Sequence, residues 1–345
     1  MLNYLHGSQR SKAVTMIRLA LTLIATVALP VVGSQAAEQL TSLSQPDPEF
    51  EIVNEHYVEL SRGPLQITVV DNAALDLPQL PKHRAGYNGV ARLVHKQQPH
   101  NLFVPGIAGL NFEHIHDGTT RNLVEKFEPR KFPMQLRRLS EFVIEVYQPP
   151  TGNFQLESCG RYSLRDDGVI EYDFECRPHR DLFQEQLIGL FWASYIHQPQ
   201  DKAFWFRGRS IGTASDELLR AETPRHGVNS THGPVKATLP SIDADFPLTL
   251  VNHPSRLEYV EPWFYGISQG LAFVQVFRPQ DGIWIAQSPS GGGNGNPAWD
   301  FQWFIRNAKV GQVYRLRMKA AVVPFESHEQ VQRVARRLAQ EFKHE

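Results

Sequence analysis

The sequence lacks several features that would assign it to a familiar class of protein. It has two cysteines in 345 residues and a net charge of −1, because 35 basic residues face 36 acidic ones. No Gly-x-Gly-x-x-Gly motif follows a predicted strand, so a dinucleotide-binding site is not expected. The alternation of parallel strands and helices that an α/β-hydrolase needs is missing as well. No repeat of fixed period is visible, which disfavours a propeller.

The N-terminus has the pattern of a secretory signal peptide over residues 1–36. An apolar run over residues 19–32 follows three basic residues, Arg10, Lys12 and Arg18. Small residues then predict cleavage after Ala36. The run is shorter than the roughly 20 residues of a membrane-spanning helix, although an N-terminal membrane anchor is an alternative. Met16 is an alternative start of translation, with residues 1–15 then an extension that is not part of the protein. No cysteine lies near the cleavage point, so we expect a periplasmic or secreted protein without a lipid anchor.

The charge of the mature chain argues against two classes of partner. Without the three basic residues of the signal peptide, the net charge is close to −4. A surface of this kind gives no electrostatic reason to bind nucleic acid or an anionic membrane. The hydrophobic fraction of 41%, with 20 Phe, 10 Tyr and 6 Trp, is enough for a substantial core.

Short strands separated by Gly- and Pro-containing turns predict an all-β protein, either a sandwich or a barrel. Residues 37–50 are polar and contain two prolines, so we expect a linker there and a single β-sandwich domain over residues 51–345. The exception to the strands is an amphipathic helix predicted over residues 327–343. Ser327 and Gln330 have capping-box spacing, and apolar residues recur every three or four positions afterwards, at Val331, Val334, Leu338 and Phe342.

The two cysteines flank a predicted hairpin. The turn at residues 165–168 places Cys159 opposite Glu175 or Cys176, depending on the register. Opposed Cβ atoms in a hairpin are about 4.5–5.5 Å apart, close to disulfide reach. Export to an oxidising compartment favours a Cys159–Cys176 disulfide, and two buried thiols are the alternative.

Residues 109–118 form the segment richest in groups that can do chemistry. In a regular strand, Phe112, His114 and His116 share one face, while Asn111 and Glu113 lie on the other. The His114-x-His116 pair could bind a divalent metal if His226, His232 or Asp117 supplied further ligands; no other cofactor is expected. Alternatively, His114 and Glu113 act as acid and base, or the His and Asn side chains donate hydrogen bonds to a polar ligand. A pair of satisfied structural histidines is the third possibility.

Two more segments suggest the type of ligand. One is residues 226–232, which contribute His226 and Asn229. The other combines residues 261–266 with a Gly-rich loop at 290–300 that lacks the Lys-Ser/Thr of a phosphate-binding loop. Flat aromatic faces beside acidic groups suit the C–H face and hydroxyl rim of a sugar; the residues concerned are Glu261, Trp263, Tyr265, Trp299 and Asp300.

Five segments resemble a group of uncharacterised secreted bacterial proteins. They are YNGVARLVH (87–95), NLFVPGIAGLNFEHIHDG (101–118), LIGLFWASYIHQPQDK (187–202), HGVNS (226–230) and SPSGGGNGNPAWDFQ (288–302). More remotely, they resemble the galactose-mutarotase-like super-sandwich shared by aldose epimerases, several glycoside hydrolases and polysaccharide lyases. This resemblance implies an antiparallel β super-sandwich with a sugar lying across its concave sheet.

The resemblance also implies residue roles. Asn88 and Arg92 would hold the substrate, and His114 or His226 would be the acid. Glu261 would be the base, with Glu113 as the second candidate.

We therefore expect a secreted protein that acts on or binds a mono-, oligo- or polysaccharide. An enzyme would use acid/base chemistry near the anomeric carbon, as an epimerase, lyase or hydrolase. The alternatives are a non-catalytic carbohydrate-binding or surface-interaction module, and a metal-dependent enzyme that uses the H-x-H pair.

Overall fold

The computed structural model describes residues 40–248 and 250–343, and these residues form one compact unit. The predicted signal peptide lies outside the described residues. The first strands are β1 (Glu51–Val53), β2 (Tyr57–Arg62), β3 (Leu65–Val70), β4 (Leu75–Leu77), β5 (Leu80–His83), β6 (Gly89–His95) and β7 (Asn111–His116). A one-turn helix α1 (Glu128–Lys131) follows, then β8 (Gln135–Ser140), β9 (Val143–Gln148), β10 (Leu156–Leu164), β11 (Val169–Pro178), β12 (Ile188–Ala193), β13 (Phe204–Ser210) and β14 (Glu217–Ala221). The chain continues with β15 (Thr231–His232), β16 (Leu257–Ser268), β17 (Leu271–Phe277), β18 (Trp284–Ser288), β19 (Ala298–Ile305), β20 (Tyr314–Pro324) and the helix α2 (His328–Glu341).

Two antiparallel sheets pack face to face. The ten-stranded sheet has the order β1-β8-β9-β10-β11-β20-β17-β16-β13-β14, and the five-stranded sheet has the order β15-β18-β19-β12-β7. A three-stranded sheet, β2-β3-β6, contributes apolar side chains to the same core, and β4 pairs with β5. This architecture confirms the predicted antiparallel β-sandwich.

Aromatic rings join the two large sheets. Phe112 of the five-stranded sheet lies edge-on to Phe174 of the ten-stranded sheet, with ring centroids 5.2 Å apart. The indole of Trp192 donates a hydrogen bond to the Tyr172 hydroxyl at 3.0 Å across the same interface. These side chains are almost fully buried, so the sandwich core takes up one face of each sheet.

Helix α2 covers part of the outer face of the ten-stranded sheet. Its first turn is capped by Ser327, whose side chain accepts a hydrogen bond from the Gln330 backbone, as the sequence predicts. Its apolar side chains pack on the outward residues of β16, β17 and β20; those buried are Val331, Ala335, Leu338 and Phe342. None of the helices in the described part of the chain is both long and apolar enough to cross a membrane.

Residues 40–43 are buried, so the prediction of a linker is wrong for this segment. Thr41 donates to Glu175 Oε2 from its backbone nitrogen at 3.1 Å and from its hydroxyl at 2.7 Å. The backbone of Ser42 donates to Glu145 Oε1 at 2.9 Å. Both carboxylates are fully buried on the outer face of the ten-stranded sheet. A buried carboxylate needs hydrogen-bond donors, and residues 40–43 supply them.

The cysteines do not form the predicted disulfide: both are free and buried. The hairpin of β10 and β11 has the expected turn, but its register pairs Cys159 with Glu175 and Ser158 with Cys176. Since neighbouring positions of a strand face opposite sides, Cys176 points into the sandwich core while Cys159 contacts Ser42 on the outer face. Burial raises the pKa of both thiols, which makes neither reactive.

Candidate active site

A half-open cavity of about 340 Å³ lies on the outer face of the five-stranded sheet, away from the sandwich core. Its floor is built from β7, β12 and β19, and loops from elsewhere in the chain form its walls. The polar side chains that line it are Glu113, His114, Lys126, Arg130, Tyr195, His226, Ser288 and Asp300. Its size is in the range of pockets that take a small ligand.

A β-bulge in strand β7 brings two neighbouring side chains to this cavity. Trp192 pairs with Phe112 and Phe191 pairs with His114, so Glu113 has no partner across the strand. The extra residue resets the alternation: Phe112 and Ile115 both enter the core, whereas Glu113 and His114 both line the cavity. The predicted separation of Glu113 from His114 on opposite faces is therefore wrong.

Glu113 is held by two cavity residues. The Tyr195 hydroxyl donates to Oε2 at 2.8 Å, and the Arg130 guanidinium lies 3.5 Å from Oε1. The side chain is buried, with 6% of its surface exposed. Burial, and after it the charge of Glu113, raises the pKa of Tyr195 well above its usual value. The phenol therefore stays protonated and acts as a hydrogen-bond donor to Glu113.

Asp300 has a different environment on the same cavity. It is 1% exposed, and burial, with the nearby charge of Glu113, raises its pKa well above the ordinary value. Ser194 donates its backbone N–H to Oδ1 at 3.2 Å, while Oδ2 has no hydrogen-bond partner among the described residues. Burial thus favours the protonated form of Asp300, and two carboxyl groups in different surroundings are the arrangement expected of an acid/base pair.

His114 lies beside Glu113 as a neutral imidazole. Burial is the main cause that lowers its pKa. Its Nδ1 contacts the backbone carbonyl of Lys126, so this nitrogen carries the proton and Nε2 is left as an acceptor. Nε2 lies 3.6 Å from Glu113 Oε1. A neutral histidine in this tautomer serves better as a hydrogen-bond acceptor for a ligand hydroxyl than as a proton donor.

An aromatic and cationic wall completes the cavity. The Arg130 guanidinium lies 3.7 Å from the centre of the Tyr87 ring and 4.8 Å from that of Phe127. Lys126, on the same wall, lies 5.6 Å from the centre of the Phe127 ring. No motif in the sequence singles out Arg130, Phe127 or Lys126. Tyr87 and Tyr195 lie in segments that carry the resemblance, but neither is predicted as a site residue.

Two other predicted residues lie in the same region. His226 is exposed at the rim of the cavity, with Nε2 3.2 Å from the Ser290 hydroxyl of the Gly-rich loop. Asn229 is exposed in a turn with a positive φ of 51° and does not line the cavity. Of the predicted site residues, Glu113, His114, His226 and Asp300 are therefore brought together.

Neither Asn88, which precedes strand β6, nor Arg92 within that strand reaches the cavity. Asn88 donates to the Phe112 carbonyl and accepts from the Phe112 backbone N–H at 3.1 Å each. Asn111 donates back to the Asn88 carbonyl at 3.0 Å. These amides join β6 to β7. Arg92 donates to Gln66 on the neighbouring strand at 2.8 Å, so all three are structural.

The expected base and three aromatic residues lie in other layers. Glu261 accepts from the Trp263 indole at 2.6 Å and pairs with Arg336 of helix α2 at 3.1 Å. Trp263 and Tyr265 pack beneath that helix. Trp299 is fully buried in the sandwich core. The ten-stranded sheet separates Glu261 from the cavity, which excludes it as the base there.

The H-x-H pair does not form a metal site with the suggested partners. His116 is fully buried and its ring packs against Phe246 and Phe304. His232 is buried too and bonds to the Ser255 hydroxyl at 2.7 Å. Within residues 40–248 and 250–343, no cluster of three or more His, Cys, Asp and Glu side chains could hold a metal ion.

A hydrolase-like spacing, Gly-x-Ser-x-Gly at residues 266–270, also has no catalytic setting. Ser268 ends strand β16 and is fully buried. Its hydroxyl donates to the His197 carbonyl at 3.3 Å. The chain then turns back at Gln269 and Gly270 into the antiparallel strand β17, whereas a nucleophile elbow leads from a strand into a helix.

The comparisons with known proteins find matches in structure but not in sequence. No family model matches the chain, and neither does any curated protein. Among solved structures, it is similar to a proposed aldose 1-epimerase from Escherichia coli K12, with a TM-score of 0.44, 9% identity, and coverage of 80% of this chain and all of that one. A heparinase III has a TM-score of 0.41 and 8% identity, with 81% of this chain and 36% of that one covered.

A third solved structure is similar to a comparable degree. The 4-alpha-glucanotransferase from Thermococcus litoralis has a TM-score of 0.36 and 8% identity, with 81% of this chain and 40% of that one covered. Aldose epimerases are the proteins that the sequence remotely resembles. Structural similarities this low do not indicate what chemistry this chain performs, so we infer the chemistry from the residues of the cavity.

Proposed function

We propose that the chain is a carbohydrate-active enzyme that performs acid/base chemistry at or next to the anomeric carbon of a sugar. Glu113 is the general base and Asp300 the general acid. The observation that carries the proposal is the contrast between their surroundings on the floor of one cavity. The Tyr195 hydroxyl donates to Glu113 and the Arg130 guanidinium lies beside it, while burial raises the pKa of Asp300 and so favours its protonated form. Two such groups can remove and supply a proton in one reaction.

The lining of the cavity supports a sugar as the ligand. Apolar side chains of the lining, among them Phe191, Leu248 and Val251, offer a surface for the C–H side of a pyranose. His114 Nε2 can accept a hydrogen bond from a sugar hydroxyl beside the base. Epimerisation, elimination and hydrolysis each need a base and an acid, and the two carboxyl groups serve any of them. The predicted signal peptide adds the proposal that this reaction takes place in the periplasm or outside the cell.

The test compares cavity carboxyl groups with one outside it. Purified protein is screened for mutarotation of free aldoses by NMR exchange, and for cleavage of neutral and acidic oligosaccharides by product analysis. We expect Glu113→Gln and Asp300→Asn to lower the rate by about 10²–10⁴-fold. Glu261→Gln, which changes a carboxylate at the α2 interface, should retain wild-type activity.

Two results would contradict these roles. One is full activity in both cavity variants, and the other is loss of activity in Glu261→Gln with its fold intact. Sugar binding by the wild-type protein without turnover of any substrate would favour the alternative of a non-catalytic carbohydrate-binding module.

A further inference from the structure

The charges of the cavity wall are unbalanced. Lys126 and Arg130 line it as cations, and Glu113 pairs with Arg130 alone. Burial raises the pKa of Asp300, the other lining carboxyl group, and lowers that of His114, which favours the neutral form of both. Among the described residues, no carboxylate lies within salt-bridge distance of the Lys126 ammonium. The lining therefore carries an excess of positive charge.

A third cation stands behind this wall. The Arg84 guanidinium lies 4.5 Å from the centre of the Tyr87 ring and donates to the Tyr87 hydroxyl at 2.6 Å. The same ring has Arg130 at 3.7 Å. Tyr87 and Phe127 thus hold three cations in place through their π-faces. Rings position a cation without neutralising its charge, whereas a carboxylate would cancel it.

We propose that the cavity takes an anionic saccharide, whose carboxylate or sulfate faces Lys126 and the Tyr87–Arg130 wall. This inference rests on the proposed sugar chemistry and names the class of substrate. The sugar ring lies toward Glu113 and Asp300, and its anionic group lies toward the mouth, where Lys126 is exposed. A charged group at this position balances the excess charge through charge-assisted hydrogen bonds.

The experiment measures binding by calorimetry with three matched probes. They are a disaccharide with one uronic acid unit, the same disaccharide with its carboxyl group reduced to an alcohol, and that neutral disaccharide with one sulfate. We expect the wild-type protein to bind at least one anionic probe about tenfold or more tightly than the neutral one. Comparison of the two anionic probes shows whether carboxylate or sulfate is preferred. The preference should weaken as salt is added.

Two variants test whether Lys126 and Arg84 cause the preference for an anionic probe. Lys126→Gln and the double change Lys126→Gln/Arg84→Gln should reduce the anionic preference stepwise and leave binding of the neutral probe unchanged. Neither change removes a contact of Glu113. Lys309→Gln, at an exposed lysine outside the cavity, should retain the full preference.

The outcomes separate this inference from the proposed function. Equal binding of neutral and anionic probes, or an anionic preference that survives the double change, overturns the charge inference but leaves the acid/base roles standing. Failure of all three probes to bind, together with no turnover in the wider sugar screen, overturns both.

Discussion

Single residues decide the chemistry of the cavity, and Asp300 does so through its proton. Because its pKa is raised by burial and by Glu113, its active form is protonated at a pH where an exposed aspartate is ionised. Activity should therefore be lost as the pH rises through that raised pKa. The measurement is kcat/KM against pH for a substrate from the screen. The residual activity of Asp300→Asn should lack this alkaline loss; its persistence in that variant would assign the titration to another group.

Tyr195 is expected to act by positioning Glu113. Tyr195→Phe removes the hydroxyl that donates to Oε2, and a hydrogen bond to a charged group contributes about 1.5–3 kcal/mol. We expect kcat to fall roughly 10–100-fold with little change in KM. Tyr259→Phe is the matched control, because this buried tyrosine donates to the Ile283 carbonyl far from the cavity. A fall in kcat of equal size in both variants would point to a general loss of structure.

The sequence reveals some of these residues and hides others for a physical reason. Glu113 and His114 stand out because polar side chains interrupt a strand. Tyr195 has no such signal, since its partner is 82 positions away. Arg130 lies on a one-turn helix of ordinary composition, and only the fold places it against Glu113.

At the scale of one element, the bulge in β7 shows where periodicity fails. A strict alternation separates Glu113 from His114, yet one unpaired residue turns both toward the cavity. Strand β16 shows the complementary error. Trp263 and Tyr265 are predicted to contact a sugar, but the face of β16 that they share meets helix α2 instead. Periodicity groups side chains by face and does not say what the face contacts.

Helix α2 should contribute strongly to stability through its buried side. Leu338 is fully buried between the helix and the sheet, so Leu338→Ala should lower the free energy of unfolding by about 2–5 kcal/mol. Arg333→Ala, on the exposed side of the same helix, should change it by less than about 0.5 kcal/mol. Urea unfolding followed by tryptophan fluorescence gives both values. Equal effects would mean that the helix contributes through its charges and not through packing.

For the whole molecule, buried histidines predict a loss of stability in acid. Burial lowers the pKa of His116 to about 3 and that of His232 to about 4. In the unfolded chain both bind protons near pH 6.5. Their contribution is therefore complete above pH 6.5 and is lost as the pH falls toward the folded values. At pH 5 each histidine lowers the free energy of unfolding by about 2 kcal/mol. The raised pKa of Asp300 has the opposite effect, because it increases that free energy as the pH falls.

A variant isolates the histidine effect from that of Asp300. Between pH 7.5 and pH 5, the unfolding free energy of His116→Gln should drop by about 2 kcal/mol less than that of the wild type. His226→Gln, at the exposed rim histidine, should follow the wild-type curve. An unchanged pH dependence in His116→Gln would show that His116 is protonated in the folded state.

The overall class of the fold was readable from the sequence, but its topology was not. Strand spacing and the Ser327 cap correctly predict a β-sandwich ending in a helix. Which strands become neighbours depends on long-range pairing, such as β20 between β11 and β17. That pairing determines whether Glu261 and Trp299 face the cavity, a helix or the core, so their predicted roles failed with it.

The buried segment at residues 40–43 has a consequence for the order of folding. During synthesis these residues emerge before the strands of the domain, yet Glu145 lies 103 positions beyond Ser42 and Glu175 lies 134 positions beyond Thr41. Contacts across such separations carry a large loop-closure cost and form after local hairpins. The segment must therefore wait until β9, β10 and β11 have paired. The earliest part of the domain to be made is among the last to reach its place.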